Sequence, residues 1–89
     1  MTTVVLNYAL GNYETWLAAG DIREGNLKKF CSSYRVCKHT DADRVSVVFE
    51  NVDLKKMKTV LSSPETEAAK ARNTILDPID VYIEVEGAK

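Results

Sequence analysis

The sequence contains little of what most enzyme signatures are built from. It has four glycines, two cysteines and one histidine. No glycine-rich phosphate loop is present, and the motifs HExxH, GxSxG and CxxC do not occur. Because the four glycines are scattered, they cannot build a dinucleotide-binding turn. The common nucleotide-binding, zinc-protease and serine-hydrolase classes are therefore not expected.

The two cysteines, Cys31 and Cys37, also stand apart from any partner group. Five residues separate them, and no second cysteine pair or neighbouring ligand cluster accompanies them. A disulfide framework and a zinc site are therefore not supported, and two reduced, packed thiols are the simplest interpretation. With a single histidine and no His/Asp/Glu cluster of ligand-like spacing, we expect no metal site and no cofactor.

The chain shows neither a strong charge bias nor a long apolar run. Twelve basic and thirteen acidic side chains give a formal charge of −1, whereas nucleic-acid binders usually gather a basic surplus on one face. The small basic cluster of Lys28, Lys29, Arg35 and Lys38 is typical of a solvated face. No apolar stretch approaches the ~20 residues that cross a bilayer, and the start lacks a signal-peptide pattern. We expect no nucleic-acid partner, no membrane partner and a cytoplasmic location.

What the chain does have is a globular composition and an ordered series of patterns. Its 89 residues are 45% hydrophobic and 28% charged, which predicts one folded domain over residues 1–89. A chain this short buries only about 60–65% of the surface that its unfolded form exposes. Its own core is thin, so association into a homodimer is physically favourable.

Strand and helix patterns alternate along the chain. Apolar alternation over Val4–Leu10 predicts a first strand, with both of its faces covered. Asn12 is placed to cap a helical stretch that extends to Phe30 with a break near Gly20, where Asp21 and Glu24 resemble a capping box. A hairpin is predicted next, from a strand over Ser33–His39 and a strand with Val45, Val47, Phe49 and Asn51 on one face.

The second half repeats the helix-then-strand order. Asp53 is placed to cap an amphipathic helix, and Ser63 before Pro64 predicts another helix start. A last strand follows, in which Ile79, Val81, Ile83 and Val85 alternate with polar residues. The order is βαββαβ, which predicts an α+β, ferredoxin-like fold with a four-stranded antiparallel sheet and helices on one face.

Nearly the whole chain resembles the dimeric α+β barrel superfamily, which includes antibiotic-biosynthesis-type monooxygenases and related small proteins. The resemblance rests on Asn12-Tyr13-Glu14-Thr15-Trp16, Tyr34-Arg35-Val36, Val47-Val48-Phe49-Glu50, Val52-Asp53-Leu54 and Leu61-Ser62-Ser63-Pro64-Glu65. It implies a homodimer whose two sheets face each other. The chain departs from similar sequences over Arg72–Pro78, where those often carry a glycine-bearing turn. In the cofactor-independent oxygenases of this superfamily, the protein mainly orients and deprotonates a substrate that itself activates oxygen.

Two polar residues are candidates for catalysis. His39 has an unperturbed pKa of ~6.5, which suits a general base, but it follows a strand beside a polar turn, where histidine is commonly just solvated. Asn7 interrupts an apolar strand, where asparagine is disfavoured. It could donate to a substrate oxygen, bond a neighbouring backbone group, or mark the dimer face.

Four aromatic residues are candidates for ligand binding. Trp16 is expected on the helix face that covers the sheet, as a core residue or as a platform for a ligand. Tyr13, Tyr34 and Tyr82 combine an aromatic ring with a polar tip, which suits either a pocket or a dimer rim. The sequence leaves three hypotheses: a dimer that binds a small apolar or aromatic molecule between sheet and helices, a cofactor-independent monooxygenase, cyclase or isomerase, and a structural or regulatory oligomer.

Overall fold

A computed structural model describes residues 2–89, which form four strands and four helices. The elements are β1 (Thr2–Leu10), α1 (Tyr13–Ala18), α2 (Gly20–Leu27), β2 (Ser33–Lys38), β3 (Arg44–Val52), α3 (Leu54–Leu61), α4 (Pro64–Arg72) and β4 (Ile75–Ile83). The strands form one antiparallel sheet in the order β2-β3-β1-β4. The predicted α+β, ferredoxin-like βαββαβ arrangement is confirmed, including the hairpin of β2 and β3. No helix in this part of the chain is long and apolar enough to span a bilayer.

One face of the sheet, here called the helix face, carries the core. On β1 and β3 every second side chain is buried, as the two-residue period of a strand requires. These rows pack with residues from the helices and loops. The buried set is Val4, Leu6, Tyr8, Leu10, Trp16, Leu27, Phe30, Cys31, Val45, Val47, Phe49, Val52 and Met57.

Three of the helices begin at the residues that the sequence indicated. Asn12 Oδ1 accepts from the Thr15 amide at 2.9 Å, and Asp53 Oδ1 accepts from the Lys56 amide at 3.1 Å. Ser63 Oγ accepts from an amide in the first turn of α4, where Pro64 occupies the first position. Each such cap contributes about 1 kcal/mol, because it satisfies a backbone N–H that has no partner inside the helix.

The break between α1 and α2 lies where it was predicted, but its chemistry differs. The helix ends at Ala18 and restarts at Gly20, and the Arg23 amide donates to the Ala19 carbonyl at 3.0 Å. The predicted capping box is wrong: α2 has no side-chain cap, and Asp21 already lies inside its first turn. The last turn of α1 leads directly into α2, so the first turn of α2 forms without a side-chain cap.

Two strand predictions need correction. Asn51 does not share a face with Phe49, because its backbone has a φ of 53° and the β1–β3 register shifts there, which buries Val52 instead. The last strand begins at Ile75 rather than Ile79 and ends at Ile83. A second register shift, between β1 and β4, accommodates the added segment, and its proline is tolerated because β4 is an edge strand.

The other face of the sheet, here called the open face, carries the side chains that alternate with the core. They are half-buried or exposed rather than covered, and the central ones include Val5, Asn7 and Val48. Both thiols were predicted to be packed, and the prediction is confirmed for one of them. Cys31 is buried, but Cys37 is exposed on β2 opposite Ser46.

Candidate functional site

A cavity of about 190 Å³ lies between the helix face and the helices. A cavity of about 150 Å³ with apolar walls is large enough to hold benzene. Small side chains on the helices, Ala19 and Ala69, leave this space open above Leu6 and Phe49. The remaining apolar lining is Ile22, Leu27, Val60, Leu61, Ile75, Ile79 and Val81.

The cavity is accessible from solvent along the exposed edge of the sheet. Two apolar lining residues remain exposed, Ile22 at 70% and Val81 at 50%. Val81 belongs to the edge strand β4, and Ile22 belongs to α2. We therefore assign the mouth of the cavity to the gap between this helix and this strand.

The polar lining of the cavity combines cations and a phenol with the uncharged side chains of Asn26, Thr66 and Asn73. Tyr8, Arg23, Lys70 and Arg72 contribute a phenol and three cations, and none of the described lining residues is an aspartate, glutamate, histidine or cysteine. Lys70 is already neutralised, since its Nζ lies 3.2 Å from an Asp77 carboxylate oxygen. The cavity therefore lacks a side chain that would act as a base near neutral pH.

Arg23 and Lys70 are the two half-buried cations that line this site. The guanidinium carbon of Arg23 stands 3.6 Å from the centre of the Trp16 ring, and its Nη2 donates to the Trp16 carbonyl oxygen. Arg23 forms no ion pair with any carboxylate of residues 2–89. Burial lowers the pKa of Arg23, while the nearby phenols of Tyr8 and Tyr34 act in the opposite direction. Arginine nevertheless stays protonated at neutral pH.

Tyr8 lines the cavity together with Arg23, and the Trp16 ring contacts both from outside the cavity lining. Tyr8 is 5% exposed and Trp16 is 1% exposed, and their rings meet edge to face at 6.4 Å. Burial raises the pKa of the Tyr8 phenol, partly offset by the Trp16 indole and the Arg23 charge. The indole N–H approaches Tyr8 without completing a hydrogen bond, and it has no partner among the residues described. The phenol is thus neutral at physiological pH and able to donate.

Three of the four predicted ligand-binding aromatics lie together. Tyr13 and Trp16 stack at 6.1 Å, and with Tyr34 they line a groove on the outer side of Arg23. Tyr82 lies elsewhere: it pairs with Val5 on the open face. Arg23 therefore separates the aromatic groove from the inner cavity, and Tyr82 belongs to neither.

The two candidate catalytic residues lie outside the cavity. Asn7 is on the open face between Ser46 and Asp80, and its side-chain oxygen accepts from the Ser46 hydroxyl. His39 lies in the exposed turn after β2, where its Nδ1 accepts from the Asp41 amide at 2.9 Å. Their roles as an oxyanion-stabilising group and a base stay predictions.

Sequence reasoning missed the two central residues of the cavity, although signals for both were present. Tyr8 is the one hydroxyl-bearing residue in the buried row that also contains Leu6 and Leu10. Arg23 follows Trp16 by seven residues, about two helical turns, which places both on one side of a nearly continuous helix. The predicted break near Gly20 hid that relation.

Comparison with solved structures identifies the architecture. An uncharacterised NIPSNAP domain protein from Burkholderia xenovorans superposes with a TM-score of 0.71 at 15% identity, over 99% of this chain and 96% of that one. SnoaB, a cofactor-independent oxygenase from Streptomyces nogalater, gives 0.65 at 10% identity over 99% and 94%. An antibiotic biosynthesis monooxygenase gives 0.63 at 10% identity over 99% and 100%. The chain has their ferredoxin-like fold.

The resemblance noted from the sequence is thus confirmed at the level of the fold. In sequence, no family model matches this chain, and no curated protein matches it. At identities of 10–15%, the shared ferredoxin-like fold carries no residue roles from one protein to another.

Proposed function

We propose that this protein binds a small, mostly apolar or aromatic molecule in the cavity between its sheet and its helices. The observation that carries the proposal is the cavity itself, which has mainly apolar walls and a few polar groups that include Arg23 and Tyr8. Ligand sites are generally concave and apolar, with a small number of placed polar groups that orient the ligand. The volume suits one or two fused rings.

We also propose that the working unit is a homodimer formed through the open face. Val5 and Val48 pair with each other at the centre of this face and are only half-buried in one chain. A second copy would cover this apolar centre and add to the thin core of a small domain. The salt bridge from Arg35 to Glu50, at 3.1 Å, lies on the same face and would become a polar contact of the interface.

A matched pair of substitutions on α4 tests the binding site. Ala69→Phe would fill the cavity, whereas Ala68→Phe adds the same ring to an exposed neighbour that does not line it. Native mass spectrometry of gently purified protein should show a dimer that retains a small molecule, and only Ala69→Phe should lose the added mass. If both variants retained the ligand equally, the molecule would be bound elsewhere.

A second candidate is a cofactor-independent oxygenase that acts on an aromatic substrate. It is supported by the fold shared with SnoaB. Because Asn7 and His39 do not line the cavity, the substrate would be bound elsewhere on the protein. In this hypothesis, His39 serves as the base and Asn7 stabilises the developing charge. Oxygen uptake with hydroxylated aromatics should then fall by at least tenfold in His39→Ala and in Asn7→Ala. Oxygen uptake that is absent, or unaffected by both substitutions, would refute this mechanism.

A further inference from the structure

Arg23 is a half-buried cation that lacks an ionic partner. Its side chain has one hydrogen bond among the described residues, to the Trp16 carbonyl, which leaves most of its five N–H donors unused. A buried or partly buried charge is costly unless it is paired. Lys70, which lines the same cavity, is paired in contrast to Arg23: its Nζ lies within 3.7 Å of carboxylate oxygens of Asp77 and Glu67.

The groups next to Arg23 would also favour an anionic oxygen. Tyr8 presents a buried phenol to the cavity. Carboxylates are absent from the described lining of the cavity, whose uncharged polar groups are those of Asn26, Thr66 and Asn73. All of the charged side chains in this lining are therefore cations, an arrangement that favours an anionic ligand oxygen over a ligand amine.

We propose that the ligand of this cavity is a small aromatic carboxylic acid, whose carboxylate pairs with Arg23 while its ring occupies the apolar space. This inference rests on the binding function proposed above and specifies its ligand class. Tyr8 donates a second hydrogen bond to the same carboxylate, as a neutral phenol. The planar guanidinium matches carboxylate geometry better than a point charge does.

A carboxylate fits this site better than a phenolate. A carboxylic acid with an ordinary pKa near 4 is already ionised at neutral pH, whereas a phenol with a pKa near 10 is not. The carboxylate can therefore neutralise Arg23 without first losing a proton to a base. This matters because no histidine or carboxylate that could take that proton is among the lining residues described.

The test uses two probes of equal size that differ in charge, 2-naphthoate and 2-naphthamide, titrated by isothermal calorimetry at pH 7. Wild-type protein should bind the naphthoate at least about tenfold more tightly, because hydrogen bonds to charged groups are the stronger ones. Arg23→Gln should lose that preference and bind the naphthamide within about twofold of wild type. Arg23→Lys keeps the charge and should recover part of the preference, which separates charge pairing from damage to the fold.

Arg44→Gln is the control for general positive potential, since Arg44 is exposed and does not line the cavity. It should keep the preference for the naphthoate. Equal binding of both probes in wild type, with loss of both in Ala69→Phe, would leave the cavity as the site and refute the role of Arg23. An equal effect of Arg44→Gln and Arg23→Gln would also refute it. Binding of neither probe would overturn the ligand class and the proposed cavity together.

Discussion

A charge placed at the centre of the open face should separate the proposed dimer. Val5 lies on the central strand β1 and pairs with Val48 on one side and Tyr82 on the other. In Val5→Glu the new carboxylate would stand on the same face as Glu50 and Asp80, so it would meet like charges. In a single chain it still faces water, and the effect on the monomer should stay within the ~1 kcal/mol span of strand propensities.

In a two-fold symmetric dimer the same substitution has a much larger effect. Each interface would contain two copies of the carboxylate, because a two-fold interface uses the same patch twice. Burial of an unpaired ion costs several kcal/mol. Even about 3 kcal/mol in total raises the dissociation constant more than about a hundredfold.

The assay is sedimentation velocity over a hundredfold range of protein concentration. Wild type should sediment as a dimer throughout, Val5→Glu as a monomer, and Ala68→Glu, which changes an exposed residue of α4, as a dimer. The thermal midpoint should depend on concentration in wild type but not in Val5→Glu. A wild-type monomer at all concentrations, or a Val5→Glu protein as dimeric as wild type, would refute the assignment of the open face.

Two further predictions concern stability. Burial raises the pKa of Tyr8 from its usual 10.0, so the unfolded chain releases this proton more readily, and stability should fall as pH rises through 10 and above. Denaturant titrations at pH 8 to 11 should show a shallower fall in Tyr8→Phe; an identical slope would mean that this phenol is not the linked group. Asp53→Ala removes the cap of α3 and should cost about 1 kcal/mol, or about 4–8 °C in thermal midpoint, whereas an unchanged midpoint would show that the cap is not stabilising.

Local patterns were sufficient to predict the fold. The caps at Asn12, Asp53 and Ser63 are short-range signals, because a side chain three residues away from an amide satisfies it without help from the rest of the molecule. Alternation on β1 and β3 likewise reports which face is buried. These signals fix the element order, and the order restricts the sheet topology.

The errors in the strand predictions occur where contacts with a distant part of the chain, or with a partner, determine which residues are paired or buried. Asn51 leaves its predicted face because a register shift against β1 changes the alternation, and no local pattern encodes the partner strand. The early start of β4 depends in the same way on pairing of Ile75 and Leu76 with the end of β1. Cys37 was expected to pack, yet its row faces outward in a single chain, and only a partner could cover it.

The cavity was beyond sequence reasoning for a related physical reason. A void arises where the helices do not fill the space above the sheet, and here the small side chains of Ala19 and Ala69 are part of its lining. Small side chains on a helix indicate close packing as readily as they indicate a gap. The sequence predicted that a ligand would lie between sheet and helices, but the residues selected for it were Trp16, Tyr13, Tyr34 and Tyr82 rather than Tyr8 and Arg23.

Although the net charge of the chain is near zero, some of its carboxylates and the arginines of the cavity lie on opposite faces of the sheet. Carboxylates such as Glu50 and Asp80 lie on the open face, while Arg23 and Arg72 line the cavity on the helix face. Because the sheet and its apolar core lie between them, the two sets do not neutralise each other at close range. An anion that enters the cavity meets a guanidinium with no ion pair among the described residues, although Asp21 and Glu24 line the groove on its outer side and the chain as a whole is slightly acidic. Without a base in the described lining, the cavity would favour a ligand that arrives already ionised.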